Sequence, residues 1–142
     1  MNDPALINEM LRTAQTIAVV GMSDKAWRPS HNIGRYLVMQ GYHVFPVNPS
    51  LSEVLGLKCY PDIESAHAAA KNDYPKGIDL VNVFRSSENV PPIIDDVIRL
   101  GIPYLWLQEG VINDKAIARA RAAGVKCVQN VCIFREHAQR VG

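Results

Sequence analysis

"VVGMSDKAWRPSHNIGRYL", Val19 to Leu37, joins a short apolar run to a helix-like segment through one long loop. The run Ile17-Ala18-Val19-Val20 has the uninterrupted, β-branched character of a strand covered on both faces. Gly21 follows as the first glycine of a dinucleotide loop would, yet the pattern G-x-G-x-x-G does not appear. About ten residues intervene instead, Ser23, Lys25, Arg28 and Ser30 among them, before the run that holds Gly34. A strand end, two hydroxyls, two cations and the N–H groups of a helix start together favour an anion, and phosphate is the natural partner. Gly34 falls on the sheet side of that helix, where a missing side chain permits close packing.

The same alternation of strand and helix continues along the chain. Strands are expected at 17–20, 43–47, 79–84, 104–107 and 125–129, with a weak edge strand near 58–60. Pro4 follows Asp3 as an N1 proline follows a cap, and Leu6, Ile7, Met10, Leu11 and Ala14 form one apolar stripe of a leading helix. In "SSENVPPIIDDVIRLG" a serine is expected to cap the first turn, where Pro91 and Pro92 are tolerated. Val90, Ile93, Ile94, Val97 and Ile98 then make a helical face. In "NDKAIARARAAG" Asn113 is the cap, the alanines face a sheet, and Arg119 and Arg121 face water. Glycines 41, 101 and 124 are expected to close helices. Strands and helices in alternation imply right-handed crossovers and a doubly wound, mostly parallel α/β sheet of Rossmann-like type, three layers deep. A single domain spanning 1–142, with its core at about 15–134, accommodates all of it.

Composition agrees. At 142 residues and 48% hydrophobic the chain can bury roughly 70% of the surface its unfolded form exposes. Fifteen basic and fourteen acidic side chains are interspersed and leave a net charge of +1, which advertises neither nucleic acid nor an anionic membrane as partner. The longest apolar runs are four to six residues and no secretory signal opens the chain, so a cytoplasmic protein is expected. Cys59, Cys127 and Cys132 form no C-x-x-C and are expected to be buried, reduced thiols.

In a doubly wound sheet the ligand lies beyond the carboxyl ends of the strands, which singles out loops 21–30, 48–52, 85–91 and 108–113. The second strand ends in "PVNPS", with Asn48 where an NAD site wants an acid for the ribose hydroxyls, and Pro49 holds it extended. "FRSSENVPP" places Arg85 at the next strand end, either as an anion contact or as the partner of Glu88. "WLQEGVIND" puts Gln108, Glu109 and Gly110 at the fourth. There is no G-x-S-x-G, no G-x-x-x-x-G-K-[ST] and no H-E-x-x-H, so neither a catalytic constellation nor a metal site is expected. Among the histidines, His43 is expected in a strand, His67 on a surface helix and His137 in a polar tail, while His31 sits at the helix start beneath the proposed phosphate.

The segments "IAVVGMSDKAWRPSHNIGRYL", "GYHVFPVNPS", "GIDLVNVFRSSENVPPII", "LWLQEGVIND" and "GVKCVQNVC", in that order, resemble the small CoA-binding domain proteins related to the N-terminal domain of the succinyl-CoA synthetase α subunit. The likeness runs from about residue 15 to residue 134. It implies a Rossmann-like fold holding coenzyme A across the strand ends. By motif position Gly21, Met22, Ser23, Lys25, Arg28 and Ser30 would form the phosphate loop. Asn48 and Pro49 would border the adenosine portion, Val83, Phe84, Arg85 and Pro91 would line the nucleotide's side, and Gln108 and Gly110 would lie toward the pantetheine arm. Two positions depart from the family pattern: Ser50, where a basic residue is frequent, and Asn130, where an acid is common.

The expected function is binding of CoA or an acyl-CoA by a non-catalytic or regulatory module. An NAD(P)-binding oxidoreductase or redox-regulatory protein on the same fold is the alternative. A protein partner or a homo-oligomer is compatible with either.

Overall fold

The computed structural model describes residues 2–141, so Met1 and Gly142 of the expected domain lie outside the described residues. Five parallel strands, β1 (Thr16–Val20), β2 (His43–Val47), β5 (Leu80–Val83), β6 (Tyr104–Leu107) and β7 (Lys126–Val128), form one sheet in the order β2-β1-β5-β6-β7. A separate antiparallel hairpin, β3 (Glu53–Val54) and β4 (Leu57–Lys58), stands beside β2. The order reverses between β1 and β5, and there the crevice of a doubly wound fold opens. Six helices alternate with the strands: α1 (Pro4–Thr13), α2 (Pro29–Met39), α3 (Ile63–Ala70), α4 (Val90–Leu100), α5 (Asp114–Ala122) and α6 (Ile133–Val141).

Alternate strand residues serve opposite faces, which divides the core in two. Ala18, Val20, Val81, Val83, Leu105 and Leu107 pack against α3, α4 and α5. Ile17, Val19, Leu80, Trp106 and Val128 pack against α1, α2 and α6. All five residues of β1 are buried, as its unbroken apolar run requires.

Local signals explain most boundaries. Asp3 caps α1 by accepting from the Ala5 amide, Asp62 caps α3 through Ser65, and Asn113 caps α5 through Ala116. Gly101 closes α4 in the left-handed region, and Gly41 and Gly124 follow the C-caps of α2 and α5 with positive φ.

Several expectations are corrected. No serine side chain caps α4: Ser87–Asn89 make a 3-10 turn first, Ser86 Oγ accepts from Asn89 Nδ2, and Ser87 Oγ accepts from the Ile112 amide. His67 is not on the surface; it is buried, accepts from the Ile78 amide at 3.0 Å, and lies against Gly77. The polar tail is a helix, α6, whose His137 is buried and bonded to the Tyr36 hydroxyl at 2.7 Å. His43 begins β2 as expected, and the three cysteines are free and buried.

Candidate functional site

The parallel register brings the strand ends level: Val20 pairs with Val47 and with Val83, and Val83 pairs with Leu107. Hydrogen bonds carry the ladder one step further into the loops. Gly21 N–H donates to Val47 O at 2.8 Å, Phe84 N–H to Val20 O at 2.9 Å, and Gln108 N–H to Val83 O at 3.1 Å. The first residue of each loop is thereby held by the sheet, as a preorganised site needs.

Gly21 is obligatory here. Its φ is +84°, and a Cβ would stand 2.5 Å from the Phe84 carbonyl oxygen. Gly34 has a different reason, since a Cβ there would meet Met22 Cε at 2.3 Å. Met22 is fully buried under α2, so only its backbone can face a ligand, and its carbonyl accepts from Asn48 Nδ2 at 3.1 Å.

The cationic loop is wired internally. Ser30 Oγ accepts from the Ser23 amide, Ser23 Oγ accepts from the Lys25 amide, and Asn32 Nδ2 donates to the Ala26 carbonyl. Lys25 and Arg28 are left exposed around it, and Pro29 starts α2 beside them without a side-chain cap at Arg28. Among the described residues His31 Nδ1, in the first turn of α2, is buried without a partner. Asn48 is equally committed, because its Oδ1 accepts from the Ser50 amide while its Nδ2 ties the second loop to the first. Asn48 therefore shapes the site through protein bonds at both ends of its amide.

Two clefts flank Arg85. One, of about 330 Å³, opens over the ends of β1 and β2 and is lined by Val20, Val47, Pro49, Arg85, Pro92 and Ile93 among others. The second, of about 490 Å³, opens between α2 and α6 and is lined by Pro29, Phe84, Arg85, Gln108, Val111 and Cys132 among others. No carboxylate lies within ion-pair distance of Arg85 among the described residues, so the pairing with Glu88 is not made. The nearby acids have other duties. Asp62 caps α3, where bonds from Ser65 hold its carboxyl below the usual value, and Asp96 pairs with Arg99 at 3.0 Å. Glu109 takes a 2.6 Å bond from Arg135, which lowers its carboxyl in the same way.

Of the positions drawn from the sequence, Pro49, Phe84, Arg85 and Gln108 line these clefts. Val83 does not: its side chain is fully buried in the core, because strand alternation turns it toward α4 and α5. Pro91 points its carbonyl at Arg119 of α5, and the neighbouring Pro92 lines the cleft in its place. Gly110 contributes backbone, its amide held by Asn130 Oδ1 at 2.9 Å, so the asparagine that departs from the family pattern serves as an acceptor here. Arg135 and Phe134 of α6 were not foreseen, and no local signal marks them, since α6 reaches the site only through the fold.

A level parallel sheet with a cationic first loop and two clefts at its switch point is the layout of a doubly wound ligand-binding domain. The chain belongs to the family described as CoA binding domain, whose model matches residues 15–138. It is 35% identical over 134 residues to the uncharacterized protein YneT of Bacillus subtilis, covering 94% of this chain and 93% of that one. It is also 30% identical over 90 residues to acetate–CoA ligase (ADP-forming) II of Archaeoglobus fulgidus, which is 62% of this chain and only 12% of the ligase. A solved structure of a hypothetical protein from Pyrococcus horikoshii OT3 superposes with a TM-score of 0.87 at 34% identity, covering 99% of this chain and 94% of that one. No helix among the described residues is long and apolar enough to cross a membrane.

Proposed function

We propose that this chain binds coenzyme A, free or acylated, across the carboxyl ends of β1, β2, β5 and β6, and acts as a binding or regulatory module. The observation that carries the reading is Arg85, an exposed cation that forms a wall of both clefts and has no acid within ion-pair distance among the described residues. CoA has two unlike halves joined by a diphosphate, a phosphorylated nucleoside and an extended pantetheine arm. Two clefts that meet at a guanidinium suit such a molecule, with the diphosphate beside Arg85 and the α2 start. Lys25 and Arg28 supply further positive charge for the ribose 3′-phosphate. Membership of the CoA-binding family supports the choice of ligand.

The lining supports binding over catalysis. The polar groups that reach the clefts are guanidiniums, amides, the free thiol of Cys132, which is buried, and carboxylates already engaged by protein donors. Calorimetry with CoA, dephospho-CoA and NAD tests the reading. CoA should bind most tightly and dephospho-CoA more weakly, because the 3′-phosphate contact is lost. A preference for NAD, or no heat with CoA, would favour the redox alternative or abolish the assignment.

A further inference from the structure

Strand β5 carries one polar side chain into the interior among aliphatic neighbours. Asn82 is fully buried, in register with Val19 and Trp106 on the face that packs against α1, α2 and α6. Its Nδ2 donates to Gln108 Oε1 at 3.2 Å, and the same oxygen receives the Ile133 N–H at 3.3 Å. A backbone N–H can only donate, so the Gln108 atom it meets is the oxygen, and the Asn82 atom on that oxygen is the nitrogen. The network therefore dictates both amide orientations.

Two consequences follow for the cleft between α2 and α6. Gln108 spends its oxygen on protein, while among the described residues its Nε2 meets no protein acceptor and is not sealed from solvent. Gln108 is itself only 4% exposed, and it lines that cleft. Asn82 Oδ1, by contrast, is sealed without a partner, which is costly in a dry interior. A buried amide that leaves its own oxygen unpaired needs an offsetting role.

We propose that Asn82 is a positioning residue that holds the Gln108 amide with its NH₂ toward the cleft, so that the cleft floor presents a donor and selects a ligand arm with an acceptor there. The matching group is a carbonyl oxygen of an amide or a thioester; an arm with an amine at that point is disfavoured. Phe84, Val111 and Cys132 around Gln108 give the bond an apolar setting, where it counts for more than in water. The neighbouring carboxylate does not compete, because Glu109 is held by Arg135.

The inference rests on the CoA reading, and the experiment separates the two. Gln108→Glu keeps the shape and the oxygen that Asn82 and Ile133 bind, but removes the donor. Asn82→Leu removes the orphan oxygen and frees the Gln108 amide to turn. Each is titrated with CoA and with adenosine 3′,5′-bisphosphate, which keeps nucleotide phosphates and lacks the pantetheine arm. Gln108→Glu should weaken CoA about tenfold, the worth of one good hydrogen bond. The lost affinity should return as the introduced carboxyl protonates at lower pH. Asn82→Leu should weaken CoA severalfold with a Tm equal to or above that of the unmodified chain. Bisphosphate affinity should be unchanged in both. CoA affinity unaltered in Gln108→Glu, or parallel losses for both probes, would overturn the positioning role, and Gln108→Glu decides alone where Asn82→Leu does not fold. Failure of the unmodified chain to bind either probe would overturn the CoA reading and this inference with it.

Discussion

Arg85 and Gly21 show how much of the site depends on single residues. Among the described residues Arg85 pairs with no carboxylate, so its removal should strand no buried charge and leave the fold intact. Arg85→Ala should weaken CoA binding by about 1.5–3 kcal/mol, the range for a charge-assisted hydrogen bond, at an unchanged Tm; calorimetry and a thermal melt check both. Gly21→Ala should do the opposite and destabilise the fold by about 2 kcal/mol or more, because a positive φ and a backbone oxygen 2.5 Å away both oppose a methyl group. A denaturant titration reads that loss. At this scale the sequence made the strand-end loops legible, since loop position follows from the fold class. It did not reveal side-chain direction. Met22 and Val83 stand in the right loops and strands, yet their side chains turn into the core, and that depends on packing partners far away in the chain.

Elements were legible where their signal is local. The strands at 43–47 and 104–107 coincide with β2 and β6, and β1 begins one residue earlier than its apolar run suggests. The β3–β4 hairpin was visible only as a weak edge strand near 58–60, because its turn is Leu55-Gly56 with both residues at positive φ. That backbone shape asks for Asn-Gly, so leucine hides the turn. Leu55, 37% exposed at φ 55°, should accept Asn with a gain of about 0.5–1 kcal/mol, the relief of a bulky side chain in the left-handed region. A rise in Tm of a few degrees checks it. Helix α6 was hidden for another reason. His137 is polar by composition and buried only because Tyr36 and Tyr42, from α2 and the turn after it, come to meet its ring.

Across the whole molecule, buried titratable groups bound the pH range of stability. Burial lowers the pKa of His67 and His137 below the usual 6.5, so the unfolded chain binds protons first as pH falls. The stability they contribute is present above pH 6.5 and is lost as pH drops through their folded values. Cys127 works from the other side: burial pushes its thiol from 9.0 up to about 11, so stability is full below pH 9 and is lost as pH rises toward 11. Chemical denaturation should therefore show a plateau between these limits, and His67→Gln should flatten the acid limb. The three-layer fold and its switch point follow from the strand–helix alternation, whereas the two clefts arise where α3 and α4 on one face, and α2 and α6 on the other, reach the carboxyl ends of the strands. The most direct test of the account is a crystal structure of the chain with CoA. The nucleotide should lie in the cleft over β1 and β2, the pantetheine arm in the cleft beside Gln108, and Arg85 between them at the diphosphate. CoA bound away from Arg85, or with both halves in one cleft, would contradict it.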